Sequence, residues 1–138
     1  MKKYYYENIL DNQNITAKTN IVWVSDITEV ELEENREFYI FLCLDIHTNK
    51  IIANTSSIRV IQSKSIIKTL AKAIKNRFKI APKTKLILHT DRGTQFSSQQ
   101  YNNFICEFEQ FIIPSMSREN TPTDNAVAEQ FMRTFKSH

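Results

Sequence analysis

Apolar positions recur along this chain with two periods, and the switch between them organises it. Ile21-Val22-Trp23-Val24-Ser25-Asp26-Ile27-Thr28 is rich in β-branched residues and predicts a strand ending near Asp26. The acidic run Glu29–Glu37 separates it from Phe38–Ile46, an apolar strand long enough to lie centrally in a sheet. His47–Lys50 reads as a turn and Ile51–Ile58 as a third strand, so short links predict an antiparallel meander. From Gln62 to Lys79 the period becomes helical. Ile67, Leu70, Ala71, Ile74 and Phe78 share one side, and Lys64, Lys68, Lys72, Lys75 and Lys79 form a solvated outer face.

Ala81-Pro82-Lys83 breaks that helix, and Lys85–Thr90 gives the fourth strand. Ser97–Glu109 predicts a helix burying Tyr101, Phe104, Ile105 and Phe108, followed by a short strand Phe111–Ile113. Ser115–Thr123 is polar and aperiodic and reads as a mobile loop. Thr121-Pro122-Thr123-Asp124 carries the start signals of a last helix: a threonine cap, an early proline and an acid in the first turn. The expected class is α/β, a mixed five-stranded sheet of meander plus parallel strands, flanked by helices. Residues 1–19 read as an irregular lead-in and 20–138 as one domain.

A length of 138 residues suits a single core. The longest apolar run, Phe38–Leu44, is too short to span a bilayer, and no apolar segment follows Lys2 and Lys3 as a signal peptide would require. Cys43 and Cys106 lie in apolar segments without metal-ligand spacing, so buried free thiols and a cytoplasmic setting are expected. Charge changes the picture more. Residues 1–58 carry a balance of −4 and residues 59–138 one of +7. A basic half suits a polyanionic partner, and equally an ordinary lysine-rich surface.

The candidate chemistry centres on Leu86–Phe96, where a buried strand stops at Asp91 and the only glycine, Gly93, follows two residues later. Wound as a helix, the last segment places Val127, Ala128, Phe131 and Phe135 on one face and Asn125, Glu129, Arg133 and Lys136 on the opposite one. That polar face is either solvated, with an internal ion pair, or turned toward the strand-end acids. Asp26 and Asp91 on neighbouring strands, joined by Glu129, would form a three-carboxylate cluster that only hard divalent cations reconcile. Two such ions support phosphoryl transfer. Asp45 reads as a turn or cap residue, His89 as a packing residue or a support behind the acids, and Trp23 as core.

The ordered set Trp23-x-x-Asp26-x-Thr28, His89-Thr90-Asp91-Arg92-Gly93-Thr94-Gln95-Phe96-Ser97-Ser98, Ser115-Met116-Ser117 and Asp124-Asn125-Ala126-Val127-Ala128-Glu129 resembles the integrase catalytic core. It is most similar to the orfB-type transposases of bacterial insertion sequences, with retroviral integrases more distant. The resemblance runs from about Asn20 to the C-terminus. It implies a ribonuclease H-like fold and a DDE triad of Asp26, Asp91 and Glu129 holding Mg²⁺, with Mn²⁺ as substitute and two ions when DNA is bound. It implies metal-dependent cleavage and strand transfer of DNA. Lys136 matches a lysine that contacts the element's end, and Arg133, Asn125 and Arg92 are further candidate DNA contacts. The partners implied are transposon-end and target DNA, further copies of the chain on DNA, and an upstream-frame DNA-recognition protein. The location implied is the cytoplasm, at the nucleoid when bound to DNA.

Three departures stand out. The interval between Asp91 and Glu129 is slightly longer than usual, the loop lacks its usual glycine, and the chain stops at His138, which reads as a C-terminal truncation. The alternative expectation is therefore a truncated, inactive DNA-binding remnant. A general ribonuclease H-type nuclease would explain the acids but not the Asp124–Glu129 helix with its trailing bases.

Overall fold

The computed structural model describes residues 2–10, 21–33 and 36–118. Its elements are β1 (Val22–Leu32), β2 (Arg36–Asp45), β3 (Ile51–Ser57), α1 (Ser63–Ile80), β4 (Leu86–Thr90), α2 (Gln99–Glu107) and β5 (Ile112–Met116). They form one five-stranded sheet in the order β3-β2-β1-β4-β5. The first three strands are antiparallel, and β4 joins β1, and β5 joins β4, in parallel. The mixed sheet expected from the alternating periods is thus present. The last helix, expected from Thr121, lies outside the described residues.

The main core lies between the sheet and the two helices. Trp23, Phe41, Cys43, Leu86 and Leu88 meet Ile66, Leu70 and Ile74 of α1 and Tyr101, Phe104 and Ile105 of α2. Each large apolar side chain buried there contributes about 1.5–3 kcal/mol relative to exposure. Trp23 is core, as its setting in the sequence suggested. The opposite sheet face holds a smaller cluster of Val22, Val24 and Ile87, against which Ile9, Leu10, Ile21 and Ile46 pack.

Four expectations need correction. The segment Glu29–Glu37 was expected as a separator, yet β1 runs on to Leu32 and pairs with β2 as far as Leu32↔Arg36. Thr28, Val30 and Phe38 give this stretch a strand's alternation beneath its acidic residues, and Val30 packs with Phe38 on Ile40 and Leu42. Asp26 consequently lies within β1 rather than at its end. Next, β5 continues through Pro114 to Met116, into the expected loop. An edge strand tolerates proline where the missing N–H would have faced away from its neighbour.

The buried row of α1 is Ile66, Leu70, Ile74 and Arg77, half a residue out of phase with the expected one, and Ile67, Ala71 and Phe78 flank it. The Arg77 guanidinium donates to the carbonyls of Ala81 (3.2 Å) and Thr84 and stacks 4.4 Å from the Phe78 ring, so it closes the turn that ends the helix. Burial lowers its pKa from the usual arginine value. Finally, only Cys43 is buried. Cys106 is exposed because it follows the inward pair Phe104 and Ile105 onto the outer side of α2.

The five lysines of α1 are all exposed, as a solvated face requires. Asp45 makes the turn assigned to it: its Oδ1 accepts from His47 N–H at 2.9 Å and its carbonyl accepts from Asn49 N–H. Asn49 takes the positive φ of 59° that this turn needs. Among the described residues no helix is long and apolar enough to cross a membrane.

Candidate active site

Asp26 lies within β1 and Asp91 directly after β4, two strands that pair in parallel. β1 and β4 pair in parallel through Val22↔Ile87, Trp23↔Leu88 and Val24↔His89. The ladder ends at Val24↔His89; continued by two residues, the same register would bring Asp26 level with Asp91, which follows the last residue of β4. The site therefore forms where β4 stops and β1 outruns it. By the pleat, Asp26 shares the face of Val22 and Val24, opposite α1 and α2. Both carboxylates are half-buried.

The turn after β4 holds Asp91 by its own backbone. Gly93 N–H donates to Asp91 Oδ1 at 2.7 Å. The Gly93 carbonyl accepts from Phe96 N–H and Ser97 N–H at 3.0 Å and from Ser97 Oγ at 3.1 Å. Gly93 is required by space: a Cβ there would lie 2.8 Å from Asp91 Oδ1. Phe96 then turns into the core against Phe41 and Tyr101. Ser98 caps α2 by accepting from Tyr101 N–H, and Ser63 at the start of α1 binds both the Gln95 carbonyl and Ser98 Oγ at 3.0 Å. The turn is thus fixed to two helix starts. A cleft of about 770 Å³ opens beside it, lined by Val60, Gln62, Lys64, Thr94, Gln95 and Ser98 among others.

His89, fully buried two residues before Asp91, spans the end of β5. Its Nδ1 lies 2.8 Å from Ser115 Oγ and its Nε2 3.2 Å from Ser117 Oγ. Ser115 Oγ also accepts from Ile9 N–H at 3.1 Å. Each ring nitrogen thus has a serine hydroxyl that can either donate or accept. This is the supporting role expected of His89, and Ser115 and Ser117 supply its partners.

Arg92 lies half-buried with its guanidinium 4.4 Å from the Tyr5 ring. Glu129, Asn125, Arg133 and Lys136 lie outside the described residues. Among the described residues no group of three His, Cys, Asp or Glu side chains could hold a metal ion. Asp26 and Asp91 are nevertheless hard oxygen donors, and the missing Cβ at Gly93 leaves room for the Asp91 carboxylate, so the donor types suit a divalent cation of the Mg²⁺ type. Beyond the glycine itself, nothing in the residue pattern marks the Gly93–Asp91 contact. Nor does it mark the role of Tyr5, one of three consecutive tyrosines in a stretch without period.

Comparison with known proteins identifies the family and the fold. The integrase core domain family matches residues 16–122. The putative transposase InsK for insertion sequence element IS150 of Escherichia coli (strain K12) is 32% identical over 94% of the chain, which covers 44% of that protein. The transposase for insertion sequence element IS904 of Lactococcus lactis is 32% identical over 94% of the chain, which covers 48% of it. The chain thus spans less than half the length of these relatives.

Among solved structures, a chain of the simian T-cell lymphotropic virus intasome in complex with PP2A regulatory subunit B56 gamma superposes with a TM-score of 0.69 at 17% identity, covering 99% of this chain and 43% of that one. The HTLV-2 integrase catalytic core domain in complex with magnesium gives 0.58 at 18%, covering 86% and 69%. The catalytic domain of Mos1 mariner transposase gives 0.66 at 7%, covering 86% and 61%. With its five-stranded mixed sheet, the chain belongs to the integrase core domain family and has the ribonuclease H-like fold of integrase and transposase catalytic cores.

Proposed function

We propose that this chain is the catalytic core of an insertion-sequence transposase, a DDE polynucleotidyl transferase that cleaves DNA and joins the cut end to a target. The observation that carries the reading is the parallel pairing of β1 with β4, whose register continued by two residues would bring Asp26 level with Asp91, in a chain of this family. Asp26, Asp91 and Glu129 would hold Mg²⁺, or Mn²⁺ in its place, with two ions when DNA is bound. So held, the cations supply a more acidic attacking water or 3′-hydroxyl and stabilise the leaving oxygen.

The chain's own residues set the geometry. Gly93 N–H orients the Asp91 carboxylate, and β1 holds Asp26 rigidly in a strand paired on its other side with Leu42. Asn125 orients Glu129 from one helical turn away. Arg92, Arg133 and Lys136 neutralise phosphates, contacts that position DNA without reading its sequence. The magnesium in the HTLV-2 core, its dimeric form and the intasome support a metal-dependent reaction by several copies assembled on transposon-end and target DNA. An upstream-frame protein would supply end recognition, and the setting would be the cytoplasm.

The test is conversion of supercoiled plasmid to nicked circle by the purified chain with Mn²⁺, beside Asp91→Asn. The substitution keeps an oxygen for Gly93 N–H but removes the charge. We expect nicking by the wild type and a loss of about 100-fold or more in the variant, the scale of a lost electrostatic contribution to catalysis. Equal nicking by both would refute the assignment.

A further inference from the structure

Residues 4–9 carry no regular secondary structure, yet they touch the Asp91 turn and its supports at several points. Tyr4 N–H donates to the Ser97 carbonyl at 2.9 Å, at the far end of the turn. The Tyr5 ring lies under the Arg92 guanidinium at 4.4 Å, next in sequence to Asp91. Tyr6 Oη donates to Asn102 Oδ1 on α2, and burial, the largest cause, raises its pKa to about 12, so it remains a donor. The Glu7 carbonyl accepts from Met116 N–H at 3.2 Å on β5, which is an edge of the sheet. Ile9 N–H reaches Ser115 Oγ, which is also bonded to His89.

We propose that the Tyr4–Ile9 strap is a positioning element for Asp91, holding the carboxylate at the height of Asp26 through Arg92 on one side and the Ser115–His89 pair on the other. This rests on the catalytic reading of Asp91 for its consequence, though not for the contacts. Two of Asp91's near neighbours in sequence, His89 and Arg92, are tied to the strap. A shift of the strap therefore moves the segment that carries the carboxylate, while the sheet register that holds Asp26 is untouched. Divalent-cation affinity then depends on how the strap is seated, and a segment or partner that displaces it lowers activity without reaching the acids.

Tyr5 isolates this role, because it is 47% exposed and its removal leaves the core intact. Tyr5→Ala loses the ring under Arg92, whereas Tyr5→Phe keeps it. Amide hydrogen exchange over residues 92–97, the Mn²⁺ concentration giving half-maximal nicking, and KM for plasmid DNA are measured for the wild type and both variants. In Tyr5→Ala exchange should rise and the Mn²⁺ requirement increase about two- to fivefold, the value of an exposed cation–π contact, with KM unchanged. Tyr5→Phe should restore both. Wild-type exchange over 92–97 in Tyr5→Ala would overturn the proposal whatever its nicking rate. If the wild type fails to nick, the transposase reading falls. Exchange, together with Mn²⁺ binding followed by electron paramagnetic resonance, then still decides the strap, faster exchange and weaker binding in Tyr5→Ala upholding it.

Discussion

Gly93 serves this site through the hydrogen it carries in place of a Cβ. No glycine here has a positive φ, so alanine suits the backbone at this position, and the penalty lies in the 2.8 Å approach to Asp91 Oδ1. Relief must come from the carboxylate, because the Gly93 carbonyl is held by three donors of the turn. Gly93→Ala should therefore cut nicking about tenfold, with overpacking strain of roughly 1–3 kcal/mol placed on the acid. A plasmid assay beside a thermal melt separates the two effects, and wild-type nicking would show that the turn relaxes elsewhere. The cysteines make a second residue-scale case. Burial, chiefly, raises the Cys43 thiol to about 12, whereas Cys106 is exposed. A thiol-specific reagent should modify one cysteine in the folded chain and two in denaturant, and peptide mapping should place the first at Cys106.

At the scale of elements, the β4–β5 ends are held by His89. Neither serine would keep the ring in His89→Ala, and a fully buried cavity would remain, so the loss of stability should be about 2–4 kcal/mol by denaturant titration. A loss below about 0.5 kcal/mol would mean that the serines rebond to each other or to water. The strand ends also show what could be read in advance. β2, β3, β4 and both described helices follow from their apolar runs and periods, because those residues are buried on one or both faces of the sheet. The tip of the β1–β2 hairpin could not be read, since Glu29, Glu31 and Glu37 hide the alternation of Thr28, Val30 and Phe38. Glu31 even faces Glu37 across the ladder, and the hydrogen bond from Glu29 raises the Glu37 pKa, an exposed strain that strand pairing overrides. Asp91 was legible as a carboxylate at a strand end. Its alignment with Asp26 needed the register, which depends on partners distant in sequence.

Over the whole molecule, the helix-covered face of the sheet carries the large core, and the face with the acids carries a smaller one. Buried phenols and the Cys43 thiol make the fold sensitive to alkali. Tyr6 is raised to about 12 from 10.0 and Cys43 to about 12 from 9.0, while Tyr101 is raised well above 10.0, each chiefly by burial. The folded chain keeps these groups protonated where the unfolded chain ionises. Their contribution is complete below about pH 9 and is lost as pH rises toward 12. Chemical denaturation at pH 8, 9, 10 and 11 should show a progressive fall in stability, lessened by Tyr6→Phe; a flat profile would contradict the burial of these groups.

On the function proposed, Asp26 of β1 and Asp91 after β4 act as one cation-dependent cutting centre. The most direct measurement is the Mn²⁺-dependent plasmid nicking rate of Asp26→Asn, Asp91→Asn and the double variant, each checked for folding by its thermal melt. Residues that act as one unit lose nearly everything at the first removal. Either single substitution should abolish nicking, and the double should be no slower than the singles. A single variant that folds and nicks at the wild-type rate would contradict it.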